Sequence, residues 1–354
     1  MKRPREKQKP SDSGVNSLFV PAELEFPFHD DVRPAESGQG YALRMAGENH
    51  LNGLPQLKSW LGKSRFSTLD AADAPLLRQW FGASTERLEH ALGWTTIGRG
   101  GAACTYAGQV LGRSYFLNRS YPRVCLLCFQ ANRHCHSAWD FALAVACAKH
   151  QVLLADRCDC CTRTISWNRP ATHRCSCHMD LEPRETPILA TPLEVQFSSW
   201  LDRKIAGDRN AADAVHQKSS NCDDAPEDST PLMRLVWPLS LNGGMRVIYA
   251  LATAAGYEES SLSNEPRART PLRKARAILS KADQFARRIG QTEDINLRVR
   301  RPSVVIQLLA DCMSGQEPPA DRNLAQSILC DVLRQKQKTR WSGVNPQLSQ
   351  LTLL

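Results

Sequence analysis

Cys125-Leu126-Leu127-Cys128, Cys147-Ala148-Lys149-His150, Cys158-Asp159-Cys160-Cys161 and Cys175-Ser176-Cys177 follow one another in a short stretch, and their order decides how the middle of the chain folds. Two residues between ligands let both side chains of a knuckle face one ion, so each pair supplies half of a tetrahedral shell. Cys147 follows Cys128 by nineteen positions, and thirteen residues separate Cys161 from Cys175. The spacing therefore predicts one site from Cys125, Cys128, Cys147 and His150, and a second from Cys158, Cys161, Cys175 and Cys177. Soft donors with no carboxylate and no open position favour two structural Zn ions. An iron–sulfur cluster suits His150 and the paired order less well. Spacing alone leaves Cys135, Cys160, His134, His136, His173 and His178 open as alternative ligands. Each zinc is worth on the order of 10 kcal/mol of apparent binding energy, so the block should unfold without metal. Trp139-Asp-Phe-Ala-Leu-Ala-Val-Ala146, between the halves of the first site, supplies apolar mass to pack on the knuckles.

The rest of the composition sets the context. The chain has 354 residues, 42% of them hydrophobic, enough to build cores without crosslinks. Its thirteen cysteines are odd in number and concentrated around the knuckles, which suggests metal in a reducing compartment rather than a disulfide framework. The first ten residues are charged, no apolar leader region follows them, and no uncharged apolar run approaches the ~18 residues of a membrane span. A cytoplasmic protein with no membrane partner is expected. Forty-five Lys and Arg against 36 Asp and Glu give a formal charge of +9, which favours a polyanionic partner.

The periodicity predicts a mainly α chain, with an N-terminal helical region, a central double zinc-finger module and a C-terminal helical domain. The expected divisions are a disordered basic tail over 1–16, a helical region over 17–122, the tandem zinc module over 123–182 and a helical connector over 183–206. A linker over 207–231, a basic helical domain over 232–336 and a flexible tail over 337–354 complete the reading. Helix, Gly82-Ala83-Ser84 and helix suit a helix-turn-helix, with Ser84 capping the second helix and Arg78 and Arg87 available to nucleic acid; a plain helical hairpin fits equally. Gly98-Arg-Gly-Gly101 reads as a turn. From Thr270 and Pro271 to Gly290 an apolar stripe of Leu272, Ala275, Ile278, Leu279, Ala282, Phe285, Ala286 and Ile289 marks a helix. Its other side carries Arg273, Lys274, Arg276, Lys281, Arg287 and Arg288, continued by Arg298, Arg300 and Arg301. These are the candidate phosphate contacts, set against the plainer reading of a solvated face.

One more set of residues completes a pattern: Pro34-Ala-Glu-Ser-Gly-Gln-Gly-Tyr41, then Leu43-Arg44-Met45-Ala46 and Asn49, then the Cys-x2-Cys, a tryptophan, Cys-x2-His, Cys-x2-Cys and Cys-x-Cys. In this order the chain resembles the TniQ family of transposon targeting proteins, over roughly residues 18 to 180. Leu126 stands where many members carry proline. The resemblance implies a non-catalytic transposition protein whose zinc ligands are the eight residues above. It also implies help in selecting the DNA target site, directly or through a DNA-recognising partner such as an RNA-guided CRISPR complex, recruitment of the transposon's AAA+ ATPase and transposase, and in some relatives a homodimer. A zinc-bearing DNA-binding transcription regulator shares every one of these physical features. An enzyme fits poorly, because catalytic zinc keeps an open position and no P-loop or nucleophile elbow is present.

Overall fold

The computed structural model describes residues 26–93, 95–97, 103–118, 120–183, 186–213, 225–257, 270–290, 299–313 and 317–342. Within these the chain is mainly helical, as expected, with helices on both sides of the cysteine-rich middle. The basic tail, the Gly98–Gly101 turn and Arg298 lie outside the described residues.

The N-terminal part contains α1 (Gly38–Glu48), α2 (Gly53–Trp60), α3 (Ala74–Phe81) and α4 (Thr85–Leu92). Ser37 starts α1 by accepting the Gly40 N–H at 3.1 Å, satisfying an amide that the first turn leaves unpaired. Gly82, at φ +73, ends α3 in the left-handed conformation, and Ser84 caps α4 by accepting from Arg87 N at 3.5 Å. Phe26 packs between Trp60, stacked at 5.7 Å, and Trp80, edge-on at 6.1 Å, which pins the chain entering α1 onto α2 and α3.

The helical region over 17–122 also holds a small sheet. β1 (Thr95–Ile97), β2 (Ala103–Tyr106) and β3 (Gln109–Leu111) form a three-stranded antiparallel sheet there. Tyr106 pairs with Gln109 across a two-residue turn of Ala107 and Gly108, both at positive φ, the geometry that matches strand twist in a tight hairpin. Alanine in the first turn position, instead of asparagine or aspartate, hides this hairpin from a reading of turn residues.

The middle contains α5 (Leu126–Asn132) and short bridged segments rather than extended sheet. Beyond it come α6 (Pro192–Asp213), α7 (Pro231–Val236), α8 (Leu241–Ala254), α9 (Leu272–Gly290), α10 (Pro302–Met313) and α11 (Pro319–Ser342). Two expected boundaries shift. The connector helix continues through Asp213 into the stretch read as linker, and α11 runs through Ser342 into the stretch read as tail. In both places the polar composition reads as loop, so composition alone sets the boundary too early. All residues of α8 are buried, and α9 and α10 pack on it. The stripe of α9 from Ala275 to Ala286 faces inward while Arg273, Lys274, Lys281 and Arg287 face out.

Candidate metal centres

Three knuckles share one backbone device. In Cys147–His150, Cys158–Cys161 and Cys175–Cys177, the carbonyl of the first residue accepts the N–H of the residue after the last, Gln151, Thr162 and His178, each at 2.8 Å. Those three residues take positive φ of 55°, 59° and 66° without being glycine. The left-handed conformation costs such residues free energy, so a surrounding structure must impose it. The N–H of each first residue then bonds across the tip, Cys147 to Val152 O, Cys158 to Arg163 O and Cys175 to Met179 O, each at 2.9 Å. Every one of these knuckles is thus the tip of a tight hairpin. The fourth, Cys125–Cys128, sits at the start of α5, with Phe129 N bonded to Cys125 O at 3.1 Å.

The four knuckles converge in pairs. Donor atoms of Cys125, Cys128, Cys147 and His150 lie within 4.8 Å of one another, and so do those of Cys158, Cys161, Cys175 and Cys177. A tetrahedral ion about 2.3 Å from each sulfur would space sulfurs about 3.8 Å apart, and a sulfur and a nitrogen about 3.5 Å apart. The Sγ–Sγ separations are 3.6 Å for Cys128–Cys147, 3.9 Å for Cys158–Cys177 and 3.7 Å for Cys161–Cys175. His150 Nδ1 lies 3.4, 3.2 and 3.6 Å from Cys125, Cys128 and Cys147. A disulfide would need about 2.05 Å, so these are the edges of two tetrahedra rather than crosslinks. Each set can hold one metal ion.

The protonation of the first set points the same way. Hydrogen bonds from Cys125 and then Cys128 hold the Cys147 thiol far below the usual thiol range, whereas hydrogen bonding to Cys125 and Cys147 drives Cys128 strongly up. A dication is what allows all three to ionise together.

The alternative ligands are elsewhere. Cys135 is buried and receives a hydrogen bond from Arg169 Nη2 at 3.6 Å; burial pushes its thiol up to about 12. Cys160 is exposed, pointing away from the set that its neighbour joins. His134 stacks on His136 at 4.7 Å, and His173 stands near Asp180 at 3.9 Å. His178 supplies a backbone turn and its side chain is exposed.

Both flanking parts are hydrogen-bonded to this middle. From the N-terminal side, Ser37 N donates to Cys135 O at 2.8 Å and Ser137 N to Ala35 O at 2.8 Å. Gly40 permits the approach, since a Cβ there would lie 2.8 Å from the Cβ of Cys135. Behind this contact Arg44 binds Glu36 through two parallel bonds, Nε to Oε1 at 2.8 Å and Nη2 to Oε2 at 2.9 Å, with both side chains buried, and reaches Asp30 with Nη1. Asn49 closes the other end by bonding both the N–H and the carbonyl of Phe28. From the C-terminal side, Arg123 donates to Ala142 O at 3.0 Å and to Thr270 O at 2.5 Å; Asn118 accepts from Thr270 N at 2.8 Å, and Asp156 from Leu272 N at 3.2 Å, the first residue of α9. Ser198 on α6 donates to Ala146 O at 2.8 Å. Sequence reading missed Glu36, Arg123, Asn118 and Asp156 as positioning residues, because isolated polar residues joined over long separations leave no periodic signal.

Asp140, beside these contacts, makes one specific pH prediction. Burial pushes its carboxyl up to about 7 against its ordinary 3.8, despite the Tyr106 hydroxyl 2.5 Å from Oδ2. Oδ1 has no hydrogen-bond partner among the described residues, and Asp140 lines a cavity of about 30 Å³ together with Asn118. The folded state therefore holds a proton that the unfolded chain releases, and this contribution to stability is present below pH 3.8 and is lost as pH rises to about 7. Asp140→Asn should flatten that part of the profile. Thermal midpoints across this range that decline equally in both proteins would contradict the assignment.

The nucleic-acid candidates scatter. Arg78 is exposed beside a groove that Gln79, Ser84 and Thr85 also line. Arg87 pairs with Asp31 at 3.1 Å, Arg276 with Glu194 at 2.5 Å and Arg287 with Asp283 at 2.8 Å. Arg273, Lys274 and Arg301 are exposed, whereas Lys281, Arg288 and Arg300 gather around one hollow.

The fold and site define a class first: a mainly helical protein built around two Cys/His sets fit for metal. Residues 27–154 match the TniQ family model, and through this segment the chain is similar to the TniQ family. The match takes in the Glu36–Arg44 anchor and all of the first set, and ends before the second. No curated protein matches the chain. Among the described residues no helix is long and apolar enough to cross a membrane.

Proposed function

We propose that this chain is a non-catalytic targeting adaptor of a DNA transposon, working in the cytoplasm with one structural zinc in each Cys/His set. The observation that carries the reading is the TniQ match over 27–154, which includes the Cys125, Cys128, Cys147 and His150 set. Each set offers four protein donors, which leaves a tetrahedral ion no open position for substrate or water. The ions act by fixing hairpin tips. Cys135 O, soon after the first knuckle, accepts Ser37 N ahead of α1, and Arg123, just before that knuckle, donates to Thr270 O ahead of α9, so metal order would pass to the outer helices. In this reading those helices meet DNA or a DNA-recognising partner, with an RNA-guided complex as one such partner, and the transposon's AAA+ ATPase and transposase. A homodimer would double the surface.

Capture of the full chain from cells carrying the intact transposon, with bound proteins identified by mass spectrometry, tests the reading. The AAA+ ATPase should be recovered. Specific promoter DNA without any ATPase would replace the adaptor with a transcription regulator.

A further inference from the structure

Asn118 and Asp140 meet where the middle of the chain joins both flanks. Their backbones are bonded, since Asn118 N donates to Asp140 O at 2.7 Å, and the adjoining Leu117 and Phe141 form an antiparallel bridge. Both side chains are buried, 2% and 7% exposed, and both line the cavity of about 30 Å³. Gly38 and Gln39 of α1 and Ala91 and Leu92 of α4 add to its wall.

One polar atom on each side chain is left over. Asn118 Oδ1 accepts from Thr270 N at 2.8 Å, which fixes the amide, because turned over its NH2 would meet the Thr270 N–H donor to donor. Asn118 Nδ2 is therefore a donor, and it has no hydrogen-bond partner among the described residues. On Asp140, Oδ2 lies 2.5 Å from the Tyr106 hydroxyl, and that hydroxyl also lies 3.1 Å from Ser137 O. The hydroxyl has one hydrogen and the Ser137 carbonyl can only accept, so both contacts are hydrogen bonds only when Oδ2 carries a proton and donates it to Tyr106. Burial favours the same neutral form, pushing the carboxyl up to about 7. Asp140 Oδ1 is then a plain acceptor, and it too has no hydrogen-bond partner among the described residues.

A donor and an acceptor, each buried and neither bonded to the other, thus line one small cavity. Left so, both groups would bear their full desolvation cost. A cavity needs about 10–15 Å³ to seat a water, and the water needs at least two polar partners; this cavity meets both conditions.

We propose that the cavity is a binding site for one ordered water, which accepts from Asn118 Nδ2 and donates to Asp140 Oδ1. Its role is positional. By holding the Asn118 amide it keeps Oδ1 on Thr270 N, just ahead of α9, and by holding the Asp140 carboxyl it keeps Oδ2 on Tyr106 of β2. One water thereby ties the hairpin, the middle and the start of α9 together. Nothing in this site depends on the adaptor reading.

The test uses the full chain with its metal, below pH 7, where Asp140 is neutral. Nuclear Overhauser transfer from water to the Asn118 side-chain amide, and solvent density in a crystal structure, should both place a water within hydrogen-bond reach of Asn118 Nδ2 and Asp140 Oδ1. Asp140→Asn has the shape of the neutral acid and should keep the water, whereas Asp140→Leu lacks the acceptor and should lose it. Amide exchange at Thr270 should then be about tenfold faster in Asp140→Leu alone, the equivalent of one net hydrogen bond. No transfer and no density in the natural protein, or a direct bond from Asn118 Nδ2 to Asp140 Oδ1, would overturn the site. A folded Asp140→Leu protein that keeps the water would overturn its assigned partners, and one that loses it with Thr270 exchange unchanged would overturn its positioning role. Should that variant not fold, the natural and Asp140→Asn proteins decide, and a water missing from either contradicts the proposal.

Discussion

Cys147→Ser should abolish tight metal binding at the first centre and unfold the middle of the chain, the largest effect expected of any single replacement. Four donors share that ion, and the apparent energy of a structural zinc is on the order of 10 kcal/mol, comparable to the whole stability of a domain. The loss would spread. Cys147 N and the Gln151 turn belong to a hairpin whose neighbour Ala146 takes the Ser198 bond from α6, and Ala142, in the preceding stretch, shares Arg123 with Thr270 at the start of α9. Limited proteolysis and far-ultraviolet circular dichroism measure this directly. Cys160→Ser is the control, because Cys160 is exposed and outside both sets, and it should leave folding and metal content unchanged. A folded Cys147→Ser protein with full metal content would remove Cys147 from the site. Acid should act in the same direction, since the ligands must be deprotonated and metal affinity falls as pH is lowered.

The second large effect concerns the Glu36–Arg44 pair. Arg44→Met would leave the fully buried Glu36 carboxylate without its guanidinium, and breaking a buried pair in this way costs about 3–5 kcal/mol. Glu36→Gln should cost less, because Arg44 keeps Asp30 as a charged partner. The double variant Glu36→Gln/Arg44→Met should be less destabilised than the sum of the two, because neither charge remains unpaired. Denaturant melts of the three proteins give the coupling. Single variants within about 1 kcal/mol of the natural protein, the range of exposed pairs, would show that the pair does not anchor α1 to the middle.

The eight cysteine and histidine donors were legible because ligand spacing is local: a knuckle is complete within three or four residues, and its chemistry follows from residue type. Pairing of the halves also followed from order along the chain. The helix of 272–290 was legible for a similar reason, its apolar stripe repeating often enough to fix period and face. Ala107-Gly108 shows the opposite case, a hairpin turn with an alanine where the usual signal residue is absent. The residues 34–49 could be quoted as a motif, but why they belong together appeared only in three dimensions. Ser37 caps, Gly40 allows close approach, Glu36 and Arg44 pair, and Asn49 ties Phe28. Charge was the least informative signal. Arg87, Arg276 and Arg287 looked in the sequence like candidate phosphate contacts, yet each forms an ion pair with a nearby carboxylate.

The account depends on both Cys/His sets being filled in the working protein, and metal stoichiometry tests that most directly. Elemental analysis of protein purified without added metal, combined with native mass spectrometry, should find two zinc ions per chain that survive dialysis and leave only as the chain unfolds. A folded chain carrying no tightly held metal, or one whose zinc is stripped by a chelator without loss of structure, would contradict it.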